Sequence, residues 1–144
     1  MKSKDRFTFI YLAWLVNIVS FAGSMYFSNV MMLPPCMLCW YQRICIFPLS
    51  LILAVGFLKK DKNIAAYALP LAGIGWIISL YHNLLYYKII PKAITACTSG
   101  VSCTDKQIEY LGFITIPLMA FTSLTITLIL LFNFYQQGKL NHEN

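Results

Sequence analysis

Two cysteines three positions apart, Cys36 and Cys39, are the side chains of this sequence best suited to chemistry. They follow Pro34-Pro35, which marks the start of a helix, and residues three apart on a helix face the same way at a separation that a disulfide can bridge. Helix N–H groups and the helix dipole favour a thiolate there, so the spacing predicts a reactive redox pair. A structural disulfide and half of a zinc site remain open as alternatives, although zinc would need two more ligands.

A second pair, Cys97 and Cys103, lies in a segment rich in small polar residues. As a structural bridge it would close a very short loop and stabilise it only modestly. As an exchanging disulfide it would be exposed and easily attacked. If both pairs lie on the same side of a membrane, as the topology below predicts, a relay from one pair to the other is favoured over two structural bridges.

Two further side chains are candidates for the same site. Arg43 lies four residues after Cys39, so its guanidinium can fold over the same helix face. It could simply reach the lipid headgroups, but beside the cysteine pair we favour a group that stabilises the Cys39 thiolate and binds a carbonyl oxygen of a lipid-soluble cofactor. His82 is a secondary candidate that could exchange protons with a bound quinone, while Cys45 is predicted to pack as a small hydrophobic side chain.

The elements that must position these residues are long apolar segments. The chain has 144 residues, of which 59% are hydrophobic and 11% are charged, whereas soluble domains have about 25% charged residues. The apolar residues fall into four blocks close to the roughly 20 residues that cross about 30 Å of hydrocarbon, and the amphipathic stripes of a soluble core are missing. The sequence therefore predicts an all-α integral membrane protein with a single membrane domain.

The four predicted spans cover residues 7–26, 38–58, 64–87 and 113–135, with loops at 27–37 and 88–112. The first span is interpreted as a retained signal-anchor, and Asn17 within it is expected to bond a neighbouring helix. The apolar core of the second span, from Ile44 to Leu58, reaches only about 22 Å, so this helix must begin near Leu38. That start places Arg43 close to the headgroups.

The placement of the charges predicts the topology. The net charge of +6 could suggest nucleic-acid binding, but the basic residues flank apolar runs in the pattern of cytoplasmic loops, which excludes that function here. The basic residues predicted inside are Lys2, Lys4, Arg6, Lys59, Lys60, Lys62 and Lys139. Those predicted outside are Arg43, Lys88, Lys92 and Lys106. Both termini are thus expected in the cytoplasm and both cysteine loops outside it, where disulfides persist.

The run from Cys36 to Arg43, with Cys97 and Cys103 after the third span, resembles the DsbB family of disulfide-forming membrane proteins, and most of all its shorter BdbC-type members. The resemblance implies a four-helix bundle in the bacterial plasma membrane. It also implies reoxidation of an extracytoplasmic thioredoxin-like (DsbA-like) thiol oxidase, with electrons passed to a membrane quinone, either ubiquinone or menaquinone.

Carried onto this chain, the resemblance implies an order of reaction. A cysteine of the partner would attack the Cys97–Cys103 bridge, most readily at Cys97. Cys103 would then attack Cys36 and release Cys39 as a thiolate, which would pass electrons to a quinone near Arg43. The resemblance also places His82 at the position of a family histidine linked to the quinone site.

Two departures from the family pattern bear on this expectation. Gln42 stands where many members carry an acid, which should leave Arg43 free of a local ion pair. The second loop is shorter than in the long members, so Cys103 would need a different motion to reach Cys36. A non-catalytic four-span scaffold with two structural loop disulfides is the alternative function, and it predicts that both bridges survive mild reduction.

Overall fold

The computed structural model contains four long α-helices and describes residues 3–32, 35–87, 89 and 116–140. The helices are α1 (Ser3–Asn29), α2 (Met37–Lys59), α3 (Ile64–Tyr86) and α4 (Ile116–Leu140), and the described part of the chain contains no strand. Each helix is long and apolar enough to cross a membrane. The predicted all-α architecture with four spans is confirmed. Cys97 and Cys103 lie outside the described residues.

The four helices form a ring in which consecutive helices pack against each other and α4 packs against α1. Helix α1 contacts α2 and α4, and helix α3 contacts the same two helices. A short turn joins α2 to α3. In it Lys60 adopts left-handed backbone angles (φ 50, ψ 42), and the N–H groups of Lys60 and Asp61 bond the carbonyls of Phe57 and Gly56. This pattern closes the end of α2 and reverses the chain.

Every neighbouring pair of helices is joined by at least one side-chain hydrogen bond. This matters because apolar surface alone does not select one helix partner over another in lipid. The bonds run from Arg43 to Ser24 (α2–α1), from Gln42 to His82 (α2–α3), from Trp76 to Thr125 and from Asn83 to the Pro117 carbonyl (α3–α4), and from Asn17 to Thr127 (α1–α4). The expected interhelical bond of Asn17 is confirmed, with its Nδ2 at 2.8 Å from Thr127 Oγ1.

The apolar interior lies towards the α2–α3 turn, away from Cys36. Its largest fully buried side chains are Ile10, Leu49, Leu53, Ile64, Leu124, Leu131 and Phe134. Large apolar side chains also cover the outer faces of all four helices, as expected where lipid replaces water; Val19, Leu51, Ile77 and Ile129 are more than half exposed.

Helices α2 and α3 are in close contact beside their connecting turn, at Gly56. A Cβ placed on Gly56 would overlap Cδ1 of Ile64 and lie 2.7 Å from its Cγ1. Ile64 is itself fully buried at the start of α3. The absence of a side chain at Gly56 therefore allows the two helices to meet directly after the turn. Gly73, by contrast, would place a Cβ in open space.

We expect Gly56→Ala to destabilise the protein by about 1–3 kcal/mol, because the added methyl group forces Ile64 out of its packed position. Gly73→Ala is the matched control and should be neutral or slightly stabilising, since alanine favours a helix over glycine. Adding Ile64→Ala to Gly56→Ala should recover part of the loss. Thermal unfolding in detergent measures all three, and equal midpoints for the two glycine variants would contradict the packing argument.

Candidate active site

The cysteine pair lies at the first turn of α2. Cys36 is the N-cap residue, with extended backbone angles (φ −71, ψ 169), and its carbonyl accepts the N–H of Trp40 at 3.2 Å. Cys39 follows within the first turn. The two Sγ atoms are 3.1 Å apart and both thiols are free. This separation is within hydrogen-bonding reach and longer than the roughly 2.05 Å of a disulfide, so the pair is in its dithiol form and close enough to be oxidised.

A histidine from the neighbouring helix α3 contacts this pair. His82 is 1% exposed, its Nε2 is 3.8 Å from Cys36 Sγ, and its Nδ1 is 3.3 Å from Gln42 Nε2. An amide nitrogen can only donate, so with this orientation Nδ1 accepts and the ring proton sits on Nε2. The N–H on Nε2 then points towards Cys36 Sγ.

These contacts set the charge state of Cys36, which lies just before the membrane-spanning part of α2. The hydrogen bond with Cys39, and after it the hydrogen bond with His82, outweigh the effect of burial and lower the pKa of Cys36 to about 4. A hydrogen bond to the charged form favours that form. Cys36 therefore carries a thiolate at neutral pH when the pair is reduced, and a thiolate is the species that attacks a disulfide.

Arg43 extends from α2 towards α1. Its Nε donates to Ser24 Oγ and its Nη2 to the Ser24 carbonyl, both at 2.8 Å, and its Nη1 lies 3.5 Å from Ser28 Oγ. The guanidinium carbon also lies 5.5 Å from the centre of the Trp40 ring. The spacing in the sequence would also allow the guanidinium to fold over the helix face of Cys39. Its hydrogen bonds go to α1, because Ser24 presents a hydroxyl and a carbonyl to the guanidinium.

A cavity of about 1080 Å³ opens beside the cysteine pair, between α1, α2 and α4. Cys39, Gln42 and Arg43 line it from α2, and its remaining wall is largely apolar, including Val16, Phe27, Met119 and Ile126. His82 is not among the lining residues. Cys39 therefore borders the cavity, whereas Cys36 has its polar contact with His82 on the side of α3. The cavity has the size and mixed lining of a site for a small apolar ligand.

The structure thus brings together Cys36, Cys39 and His82, and places Arg43 on the cavity wall that Cys39 also lines. The predicted packing of Cys45 as a buried small side chain is confirmed, since it is 5% exposed. Gln42 also belongs to this site, since it contacts His82 and lines the cavity, although this role was not predicted from the sequence. Its position three residues after Cys39, on the same helix face, was the signal that could have identified it.

Comparison with known proteins identifies the family of the chain. The family model for disulfide bond formation protein DsbB matches residues 5–134. The chain belongs to the DsbB family. It is 45% identical over 118 residues to a probable disulfide formation protein C of Halalkalibacterium halodurans, covering 81% of this chain and 85% of the relative. It is 40% identical over 126 residues to disulfide bond formation protein C of Bacillus subtilis, covering 88% and 91%. No solved structure matches the chain.

Membership of the DsbB family indicates the chemistry of the chain. Proteins of this family form disulfide bonds, which makes the chain a thiol–disulfide oxidoreductase of the bacterial membrane. The resemblance read from the cysteine and arginine motif is confirmed by these matches. The free Cys36 and Cys39 at the head of α2 are, accordingly, the described residues with the geometry to undergo reversible oxidation.

We expect the thiolate of the Cys36–Cys39 pair to depend on His82. In reduced protein carrying Cys45→Ala, Cys97→Ser and Cys103→Ser, thiolate absorbance should report one thiolate per chain down to about pH 5, lost on acidification through a pKa of about 4. His82→Ala should move this midpoint upward by about 1–2 pH units, because a charge-assisted hydrogen bond is lost.

His142→Ala, which removes the other histidine, is the control for this titration and should leave the midpoint unchanged. The same midpoint in the His82 and His142 variants would remove His82 from the stabilisation of the thiolate.

Proposed function

We propose that the protein is a quinone-dependent disulfide-generating oxidoreductase that reoxidises an extracytoplasmic thioredoxin-like thiol oxidase. The observation that carries the proposal is the position of Cys39 on the wall of the cavity of about 1080 Å³ while its partner Cys36 contacts His82. The Cys39 sulfur can then meet an apolar electron acceptor while the Cys36 sulfur keeps its negative charge. A structural disulfide in a scaffold would need neither the cavity nor the histidine.

The cavity residues fit a quinone. Its apolar walls suit a ring with a hydrocarbon tail, and the Arg43 guanidinium offers N–H donors for a carbonyl oxygen. The described partners of Arg43 on α1 engage its Nε, Nη1 and Nη2 atoms, which holds the planar group in a fixed orientation. A quinone bound there, ubiquinone or menaquinone, would accept two electrons and two protons to become a quinol.

The residues of the chain would carry the electrons in two disulfide exchanges. The partner's dithiol reduces Cys97–Cys103, and the resulting Cys103 thiolate attacks Cys36, so that the Cys36–Cys39 bond breaks and Cys39 leaves as a thiolate. Cys97 then attacks Cys103 in this mixed disulfide, which re-forms Cys97–Cys103 and releases Cys36 as a thiolate. Two electrons have then reached Cys39 at the cavity. The Cys36–Cys39 disulfide re-forms when these two electrons leave, and the Cys36 thiolate contacted by His82 is the nucleophile that closes it.

The charges of the bundle support an extracytoplasmic position for this site. Lys59, Lys60 and Lys62 lie at the turn between α2 and α3, at the opposite end of α2 from Cys36. Basic residues gather in cytoplasmic loops, so the cysteine end would face outward, where the thiol oxidase and its disulfides are found. The protein would span the bacterial plasma membrane with both termini in the cytoplasm.

Purified protein mixed with a reduced thioredoxin-like oxidase and a soluble quinone should reduce the quinone as the oxidase gains its disulfide. Cys39→Ser should lower turnover to background, because the thiolate at the cavity is lost. Cys45→Ser is the matched control in the same helix and should turn over like wild type. No quinone reduction by wild type, or wild-type turnover by Cys39→Ser, would refute the proposed function and favour a scaffold.

Filling the cavity should weaken quinone use without touching the cysteines. Gly23 lines the cavity, and a Cβ there would meet no atom within 4 Å, so we expect Gly23→Leu to add volume to the cavity wall with little strain. We expect its KM for quinone to rise about tenfold or more. Gly73→Leu is the control, since Gly73 is equally open and lies outside the cavity lining. An equal KM for both variants would place the quinone elsewhere.

A further inference from the structure

The reduced cysteine pair and His82 together form a set of metal-ligating atoms. Cys36 Sγ, Cys39 Sγ and a ring nitrogen of His82 all lie within 4.8 Å of one another. Two thiolates and an imidazole are ligands that zinc prefers, and three protein ligands with a fourth position open is a common zinc arrangement. We propose that the dithiol form of the protein binds a thiophilic divalent cation such as Zn²⁺ through Cys36, Cys39 and His82.

The distances among the three atoms are close to those that zinc requires. Tetrahedral zinc with Zn–S near 2.3 Å and Zn–N near 2.05 Å places its sulfurs about 3.8 Å apart and each sulfur about 3.6 Å from the nitrogen. Cys36 Sγ is 3.8 Å from His82 Nε2, and the two sulfurs are 3.1 Å apart. The cation therefore needs the sulfurs to separate by about 0.7 Å, which a small side-chain rotation at partly exposed Cys39 supplies.

The negative charge of the two thiolates stabilises a cation at this buried site. A divalent cation in an apolar surrounding is costly unless its charge is matched nearby. Two thiolates balance it, and a neutral imidazole adds a ligand without adding charge. Cys36 and His82 are almost fully buried, whereas Cys39 is partly exposed and lines the large cavity, which gives a cation a route to the sulfurs.

Gln42 orients the histidine for this role. Metal-bound histidines usually have their second ring nitrogen hydrogen-bonded, which fixes the ring, and here Gln42 lies 3.3 Å from Nδ1. Binding a cation at Nε2 moves the ring proton to Nδ1, so the Gln42 amide must turn and present its oxygen. The amide can make either bond, since it carries a donor and an acceptor.

The proposed site exists only in one redox state of the protein. Oxidation joins the two sulfurs in a disulfide and removes both thiolate ligands, so the cation binds the dithiol form alone. Binding to one state shifts the equilibrium towards it, and free Zn²⁺ at about 100 times its Kd would favour the dithiol form about a hundredfold. If the proposed function holds, the bound cation also withholds both thiolates from electron transfer and stops turnover.

Titration of the full-length protein in detergent with Zn²⁺ against a chromogenic chelator, and with Co²⁺ for its thiolate absorbance, tests the proposal. Reduced wild type should bind one equivalent with sulfur ligation, and the oxidised protein should bind none. Cys36→Ser should abolish binding, and His82→Ala should weaken it tenfold or more, because a ligand is removed. Cys45→Ser and the double variant Cys97→Ser/Cys103→Ser are controls that should bind like wild type.

Three results would overturn the metal site. These are equal binding by the oxidised and reduced wild type, a Co²⁺ spectrum without thiolate bands, and unchanged affinity in His82→Ala. The redox comparison uses wild-type protein and so does not depend on a variant folding. Inhibition of quinone reduction by Zn²⁺, reversed by a chelator, is a separate readout. If Zn²⁺ binds as expected but does not inhibit, the inhibitory effect is excluded. If the protein reduces no quinone even without Zn²⁺, the result counts against the proposed function alone.

Discussion

The hydrogen-bonded chain from Gln42 through His82 to Cys36 is the contact on which the cysteine end of the bundle depends. A polar side chain at membrane depth costs several kcal/mol unless a neighbouring group satisfies it, and His82 is almost fully buried. The need to satisfy His82 fixes the position of α2 along α3, because sliding one helix by a single turn, about 5.4 Å, would break the contacts of His82 with both Gln42 and Cys36. The position of the reactive sulfur thus follows from the need to satisfy the histidine.

The same geometry gives the two cysteines different surroundings. A three-residue step along a helix is a rotation of about 300°, so Cys36 and Cys39 share one side of α2 but lean towards different neighbours. Cys36 meets α3 through His82, while Cys39 borders the cavity between α1, α2 and α4. One sulfur can therefore hold a charge against a fixed donor while the other stays open to a ligand, and the two remain within reach of a disulfide.

The four helices and the cysteine pair could be predicted from the sequence because hydropathy and spacing encode them directly. The interhelical bond of Asn17 followed from the rule that a polar group within a span needs a partner. The direction of Arg43 did not follow. In a soluble bundle an amphipathic stripe indicates which face is buried, but here lipid and neighbouring helices are both apolar, so the pattern leaves the rotation of α2 about its axis undetermined.

The contacts of Gln42 show why the undetermined rotation of α2 matters for the chemistry of the site. From the sequence, an amide in place of an acid should matter for its chain neighbour Arg43. Adjacent residues on a helix point about 100° apart, however, so Arg43 bonds α1 while Gln42 bonds α3. The amide of Gln42 therefore acts on His82. A carboxylate at this position could only accept a hydrogen bond from an N–H on Nδ1, which would leave Nε2 without a proton or make the ring a cation. The amide nitrogen of Gln42 instead donates to Nδ1, so the neutral ring keeps its N–H on Nε2, directed at the Cys36 sulfur.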